Sequence, residues 1–327
     1  MKKSTKSFLI GSGVAAGVAA LAAVYHQTVK HLTAIALDRQ QPPMPLDMEK
    51  SRNLLMGSDE LSSMMSTIMD AAAVLESRDC ETVEIVAHDG IPLVGHWLCP
   101  PNPKRIIVAM HGWRSSWSQD FGLIADFWYQ NDCAVLYAEQ RGQGDSGGEY
   151  MGFGLLERHD CRDWITYLDA KFEGKLPLYP VGISMGATTV LMTAGFSLPN
   201  SVRGIIADCG FTSPSAIWKH VIEKNLRLPY ALYKAAADQL CRQKIQVSAD
   251  DYCCTDAMKQ CAVPILFIHG TDDKFVPVEM TYENYKACAA EKRLFVVPGA
   301  DHGLSYLTDK NGYESTVKAF WHDFENR

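Results

Sequence analysis

Residues 178–194 read LYPVGISMGATTVLMTA, and the way this stretch changes halfway decides the fold. Its first six residues are almost wholly apolar and short enough for a strand buried on both faces. Its second half, from Met185, is a run with the length and composition of a buried helix. Ser184 stands at the junction, with Gly182 and Gly186 two residues away on either side. A chain that turns sharply from strand to helix needs glycines where a Cβ would collide. Such a turn lifts the serine hydroxyl above the sheet and sets it at a helix N-terminus, where negative charge is favoured.

The same alternation extends outward in both directions. Upstream, strands are expected at 82–87, 93–98, 105–110 and 133–138, with helices at 121–130 and 155–172. His88-Asp89-Gly90 reads as the turn of a hairpin joining the first two strands. Downstream, strands are expected at 204–208, 264–269 and 293–297, and helices at 279–289 and 313–324. Short apolar strands separated by helices imply a mainly parallel central sheet flanked by helices on both faces. The stretch between 208 and 264 is too long for one crossover and is rich in Trp, Tyr and Leu. It predicts a helical cap at about 211–260, with helices at 214–226 and 229–244, over the strand ends where open α/β sheets bind ligands. Ahead of the sheet, Leu61, Met64, Met65, Ile68, Met69 and Ala72 fall at helical spacing. This Met-rich stripe packs on the domain or guards an apolar entrance.

G-x-S-x-G occurs twice. Gly144-Asp145-Ser146-Gly147-Gly148 also has the letters of the chymotrypsin-like nucleophile motif, but that family is all-β and a loop, not a helix, follows Ser146. Context therefore selects Ser184. A serine hydroxyl needs a base to take its proton. His302, in the small-residue loop Pro298-Gly299-Ala300-Asp301-His302-Gly303 after the last strand, is the candidate. His111 and His269 each precede Gly at a strand end and read as loop braces. The acid that orients the base comes from His269-Gly270-Thr271-Asp272-Asp273, with Asp273 preferred to Asp272 and Asp208 as a further alternative. The chain order Ser, Asp, His is that of the hydrolase-type nucleophile elbow. Two N–H donors for a developing oxyanion are expected from Met185, the residue after the nucleophile, and Trp113, after His111-Gly112.

Together, His111-Gly112, the run 141–148 (RGQGDSGG), the elbow at 182–186, the loop 269–277 and Asp301-His302-Gly303 resemble the α/β-hydrolase superfamily over about residues 80–325. They are most similar to the bacterial membrane-anchored serine hydrolases of the serine aminopeptidase and lysophospholipase-like esterase group. Glu139 departs from the Asp often found there. The resemblance implies an α/β-hydrolase fold with a helical cap. It also implies a cofactor-free, metal-free serine hydrolase that cleaves an ester, thioester or amide acyl bond through an acyl-enzyme, carboxylesterase or lysophospholipase-like in preference. A peptidase or acyltransferase on the same site, and a catalytically silent binding protein, are the alternatives. The expected partner is a small-molecule or lipid-like acyl substrate.

Composition is that of a globular chain: 327 residues, 47% hydrophobic, 21% charged, long enough to bury a core without staples. A net charge of −7 with no basic cluster argues against nucleic acid. The ten cysteines include no C-x-x-C pair, which removes zinc and thioredoxin-like readings and leaves small buried apolar residues. The N-terminus is unusual. Lys2, Lys3 and Lys6 precede an uncharged run of 18 residues from Phe8 to Tyr25. As a helix it spans about 27 Å, close to the ~30 Å hydrocarbon core of a bilayer. An uncleaved anchor is preferred to a secretory signal cleaved after Ala20-Leu21-Ala22, and the positive-inside rule leaves the catalytic part extracytoplasmic. The expected organisation is thus an anchor or signal at 1–30, a linker and amphipathic helix at 31–79, and the α/β domain at 80–327.

Overall fold

Every residue of strands β3 (Arg105–Met110) and β4 (Cys133–Ala138) is buried, as an apolar run enclosed on both faces requires. The computed structural model describes residues 3–40, 42 and 59–325; the side chains of 3–19 and 59–62 lie outside that description. Six further strands complete one sheet: β1 (Glu81–Val86), β2 (Pro92–Leu98), β5 (Leu178–Ile183), β6 (Ile205–Asp208), β7 (Ile265–Gly270) and β8 (Lys292–Val297). Their order is β1-β2-β4-β3-β5-β6-β7-β8. The first two junctions, β1/β2 and β2/β4, are antiparallel, and all the rest are parallel.

Because strand side chains alternate between faces, each central strand feeds two cores. From β3, Ile106, Val108 and Met110 join one, and Ile107 and Ala109 the other. On the first face lie α4 (Glu157–Lys171), α5 (Met185–Thr193), α8 (Cys254–Gln260) and α9 (Val278–Ala287). On the second lie α3 (Trp117–Gln130) and α11 (Lys310–Phe324), with Phe127 stacked on Trp321. Ser116 caps α3 by accepting from the Gln119 N–H, which satisfies one of the orphan donors of a helix start. Helix α2 (Asp59–Glu76) carries the expected Met stripe. It buries Ala72 and Leu75 against α3, leaves Met69 exposed, and lines no part of the cavity described below.

The cap region holds α6 (Pro214–His220), which continues into one π-helical turn (Val221–Asn225), then α7 (Tyr230–Ile245). The single helix expected at 214–226 thus has two windings. Helix α8 and a short α10 (Ser305–Thr308) were not foreseen from the pattern. All ten cysteines are free thiols and seven are buried.

Helix α1 (Lys3–Leu37) is 35 residues long and runs unbroken across position 30, where a boundary was expected. Among the described residues no helix is long and apolar enough to cross a membrane. Most of the expected span 8–25 falls on residues whose side chains lie outside the described ones.

Candidate active site

The carboxyl ends of the parallel strands converge on one edge of the sheet, and the elbow after β5 stands at its centre. Ser184 has φ 56° and ψ −116°, a conformation that costs an L-residue of order 1–3 kcal/mol. The glycines make that turn possible. A Cβ on Gly186 would run into the Met110 carbonyl, and one on Gly182 would run into the backbone of Gly186. The Ser184 N–H donates to the Asp208 carbonyl at 2.9 Å, which ties the elbow to the neighbouring strand.

His302 and Asp273 reach this serine from the loops after β8 and β7. The Ser184 hydroxyl donates to His302 Nε2 at 2.9 Å, and His302 Nδ1–H donates to Asp273 Oδ2 at 2.7 Å. Asp273 Oδ1 accepts from the Phe275 and Val276 N–H groups at 2.9 and 2.8 Å. The Asp273 side chain is fully buried, whereas His302 keeps 24% of its side chain exposed, room for a reacting group to approach. Burial alone would raise the Asp273 pKa. Hydrogen bonds from His269 and His302, the field of His302 and the Val276 N–H outweigh it and hold the carboxyl well below the usual range. Asp272, the alternative from the same loop, is exposed and accepts from Thr271. Asp208 accepts from Ser305 at 2.9 Å, and burial pushes its carboxyl up to about 6.

His269 goes beyond its expected role as a loop brace. Fully buried, it donates from Nε2 to Asp273 Oδ2 at 3.0 Å and to the Val276 carbonyl at 2.9 Å, while Nδ1 accepts from Thr281. The same carboxylate oxygen therefore accepts a hydrogen bond from each of two histidines. Only the proximity of His269 to Asp273, four residues on, signals this in the sequence. His111 is a brace: Nδ1 donates to the Gly112 carbonyl, Nε2 accepts from Gln140 N–H, and burial lowers its pKa. Ser146 is buried and bridges Glu139 and Val94, which makes it a structural hydroxyl. Glu139 itself receives His96 at 2.8 Å and the Asp145 N–H.

Met185 N–H is the first of α5 and has no helical acceptor behind it. Gly112 lies against Ser184, since a Cβ added to it would sit 3.4 Å from the serine Cβ. The loop is fixed by Gly112 N–H to Asp120 at 2.6 Å, Arg114 N–H to Gln143 at 2.6 Å, and the Trp113 indole to the Ala36 carbonyl at 2.9 Å. Two groups of side chains among the described residues have metal-like spacing. In one, Cys209 joins Asp273 and His302, whose lone pairs are committed to the bonds above; in the other, Asp160 is committed to Arg141.

Ser184 opens into a cavity of about 290 Å³. Trp113, Phe153, Phe211 and Phe275 line it from the sheet side, and Ile217, Trp218, Val221, Ile222, Leu226 and Ala237 from the cap. Asn225 of the cap and Leu32, Thr33, Ile35 and Ala36 of α1 also line it. Among the described residues, none that lines it is charged. The part played by α1 was not foreseen, although Val29, Leu32, Thr33 and Ala36 stand at the i, i+3, i+4, i+7 spacing of a packed face.

A family model described as serine aminopeptidase, S33, matches residues 101–228. The chain is 26% identical over 234 residues to the uncharacterized protein YqkD of Bacillus subtilis, covering 71% of this chain and 75% of that one. It is 25% identical over 242 residues to the uncharacterized protein YfhR of Escherichia coli K12, covering 71% and 76%. Among solved structures it is similar to the Pyrococcus furiosus esterase Pf2001, with a TM-score of 0.63, 21% identity, and coverage of 76% of this chain and 93% of that one. It is also similar to the esterase domain of a Rhodothermus marinus protein, with a TM-score of 0.54, 19% identity, and coverage of 76% and 100%. With the sheet order, the elbow and these likenesses taken together, the chain has the α/β-hydrolase fold.

Proposed function

We propose that this protein is a carboxylic ester hydrolase that works through an acyl-enzyme on Ser184. One observation carries the reading: an unbroken hydrogen-bond chain from Ser184 through His302 to Asp273 opens on a cavity whose lining residues bear no charge. A pocket of this kind takes a neutral acyl group. An aminopeptidase must hold a substrate ammonium, and a buried charge needs a paired partner that this lining does not offer.

In the proposed reaction Ser184 Oγ attacks the ester carbonyl carbon as its proton passes to His302 Nε2. Asp273 holds His302 in the tautomer that accepts there and stabilises the imidazolium. The carbonyl oxygen, now negative, is received by the Met185 and Trp113 N–H groups; losing one such donor typically costs ~10²–10³ in rate. His302 then gives its proton to the departing alkoxide as the C–O bond breaks. Water repeats the sequence on the acyl-enzyme, releasing the carboxylic acid and restoring Ser184. The substrate class is a small-molecule or lipid-like ester. The reading also assigns the N-terminal segment to a membrane, supported by the lysines at 2, 3 and 6, the apolar run from Phe8, and the exposure of Leu21 and Val24.

Labelling with a fluorophosphonate probe, alongside turnover of p-nitrophenyl esters, tests the assignment. Wild type should label, and Ser184→Ala should lose labelling together with at least about 10⁴-fold in kcat while melting as wild type does. Labelling that survives the substitution would assign the nucleophile elsewhere.

A further inference from the structure

We infer that the last turns of α1, residues 29–37, form a specificity-determining wall of the acyl pocket, with Leu32 and Ala36 limiting the length of acyl chain it admits. The inference rests on the ester-hydrolase reading and narrows its substrate to a neutral acyl group whose length the α1 wall limits.

Exposure along α1 changes abruptly. Residues 20–27 are exposed, but Val29, Thr33, Ile35 and Leu37 are at most 8% exposed. Leu32 and Ala36, one turn apart on the same face, border the cavity that contains Ser184. The helix end is seated by polar contacts at several independent points. Arg114 donates to the carbonyls of Ile35 at 2.8 Å and Asp38 at 2.6 Å. Trp113 donates to Ala36, and Lys244 pairs with Asp38 at 2.6 Å. Arg39 reaches the carbonyls of Gly144, Ser146 and Gly148. Arg114 and Trp113 satisfy carbonyls at the end of α1, and Arg114 places positive charge where the helix dipole favours it. The wall is therefore held in register with the loop that carries Trp113 and with the cap.

The cavity of about 290 Å³ confines its occupant, so a lengthening acyl chain meets this wall. Ala36 is the smallest side chain of the α1 wall, so enlarging it shortens the pocket, and trimming Leu32 lengthens it.

The test measures kcat/KM of the full-length protein on p-nitrophenyl esters from acetate to dodecanoate, with thermal melts as the control for folding. Ala36→Phe should lower the octanoate-to-acetate ratio by at least about tenfold, the discrimination a hydrophobic pocket gives for a methylene or more. Leu32→Ala should move the optimum towards longer chains. If Ala36→Phe melts early, Leu32→Ala decides alone. Profiles that match wild type, in an enzyme whose Ser184 labels with fluorophosphonate, overturn the wall and leave the ester-hydrolase reading standing. Absence of Ser184 labelling in the wild type removes both.

Discussion

Asp273 concentrates most of the site's electrostatics in one side chain. Its two oxygens accept from His302, His269 and the N–H groups of Phe275 and Val276, and each donor favours the ionised form. An amide in its place keeps the volume but turns one acceptor into a donor, so Asp273→Asn leaves a histidine facing an N–H₂ group. On the proposed mechanism its kcat should fall by about 10⁴. The same variant has a stability signature that a purely local view misses. The folded pKa of Asp273 lies below its unfolded value, so the group contributes stability above the unfolded pKa and loses it as pH falls through the folded one. Wild-type melting temperature should therefore drop on acidification below about pH 5, and Asp273→Asn should drop less steeply over the same range. Equal slopes would show that the two histidines do not hold the carboxylate as described.

At the scale of elements, α2 and α3 show how closely the second face is packed. A Cβ on Gly122 would stand 2.7 Å from the backbone of Ala71 and Ala72. In an isolated helix alanine is favoured over glycine by about 1 kcal/mol, but overpacking a tight contact costs about 1–3 kcal/mol. Contact should win: urea midpoints should fall from wild type to Gly122→Ala and further to Gly122→Val, where the propensity gain shrinks and the clash grows. An alanine variant more stable than wild type would mean that α2 can step away. Packing of this kind is also why the strands were legible. A strand such as β4, buried on both faces, must be written as an apolar run, and the expected bounds of the sheet strands fall within one or two residues of those found. The elbow was legible because Gly182 and Gly186 answer to local sterics. The docking of α1 was not. Val29 and Ala36 look like a continuation of an apolar anchor, and the donors that seat them, Arg114 and Lys244, stand about 80 and 200 residues away in the chain. The π-helical turn after α6 likewise leaves no mark in a 3.6-residue pattern.

Over the whole molecule, α1 has two regimes, and the proposed membrane attachment belongs to the first of them. From Tyr25 on, where the phenol donates to the Leu232 carbonyl and the ring stacks on Tyr233, the helix is tied to the domain; before that, Leu21 and Val24 are 72% and 65% exposed. Apolar side chains exposed one turn apart lose about 25 cal/mol for every Å² left in water. The chain as a whole carries a net charge of −7, which anionic headgroups repel. On the proposed membrane attachment, binding is hydrophobic and resides in the N-terminal segment. Full-length protein should sediment with membranes, resist a high-salt wash and be released by detergent. Release by salt alone would indicate a peripheral, electrostatic attachment, and recovery in the soluble fraction would remove the anchor. If the lysines at 2, 3 and 6 stay on the cytoplasmic side, protease added to spheroplasts should digest the catalytic domain. Protection would reverse the orientation and place the opening beside Leu32 and Ala36 on the cytoplasmic face.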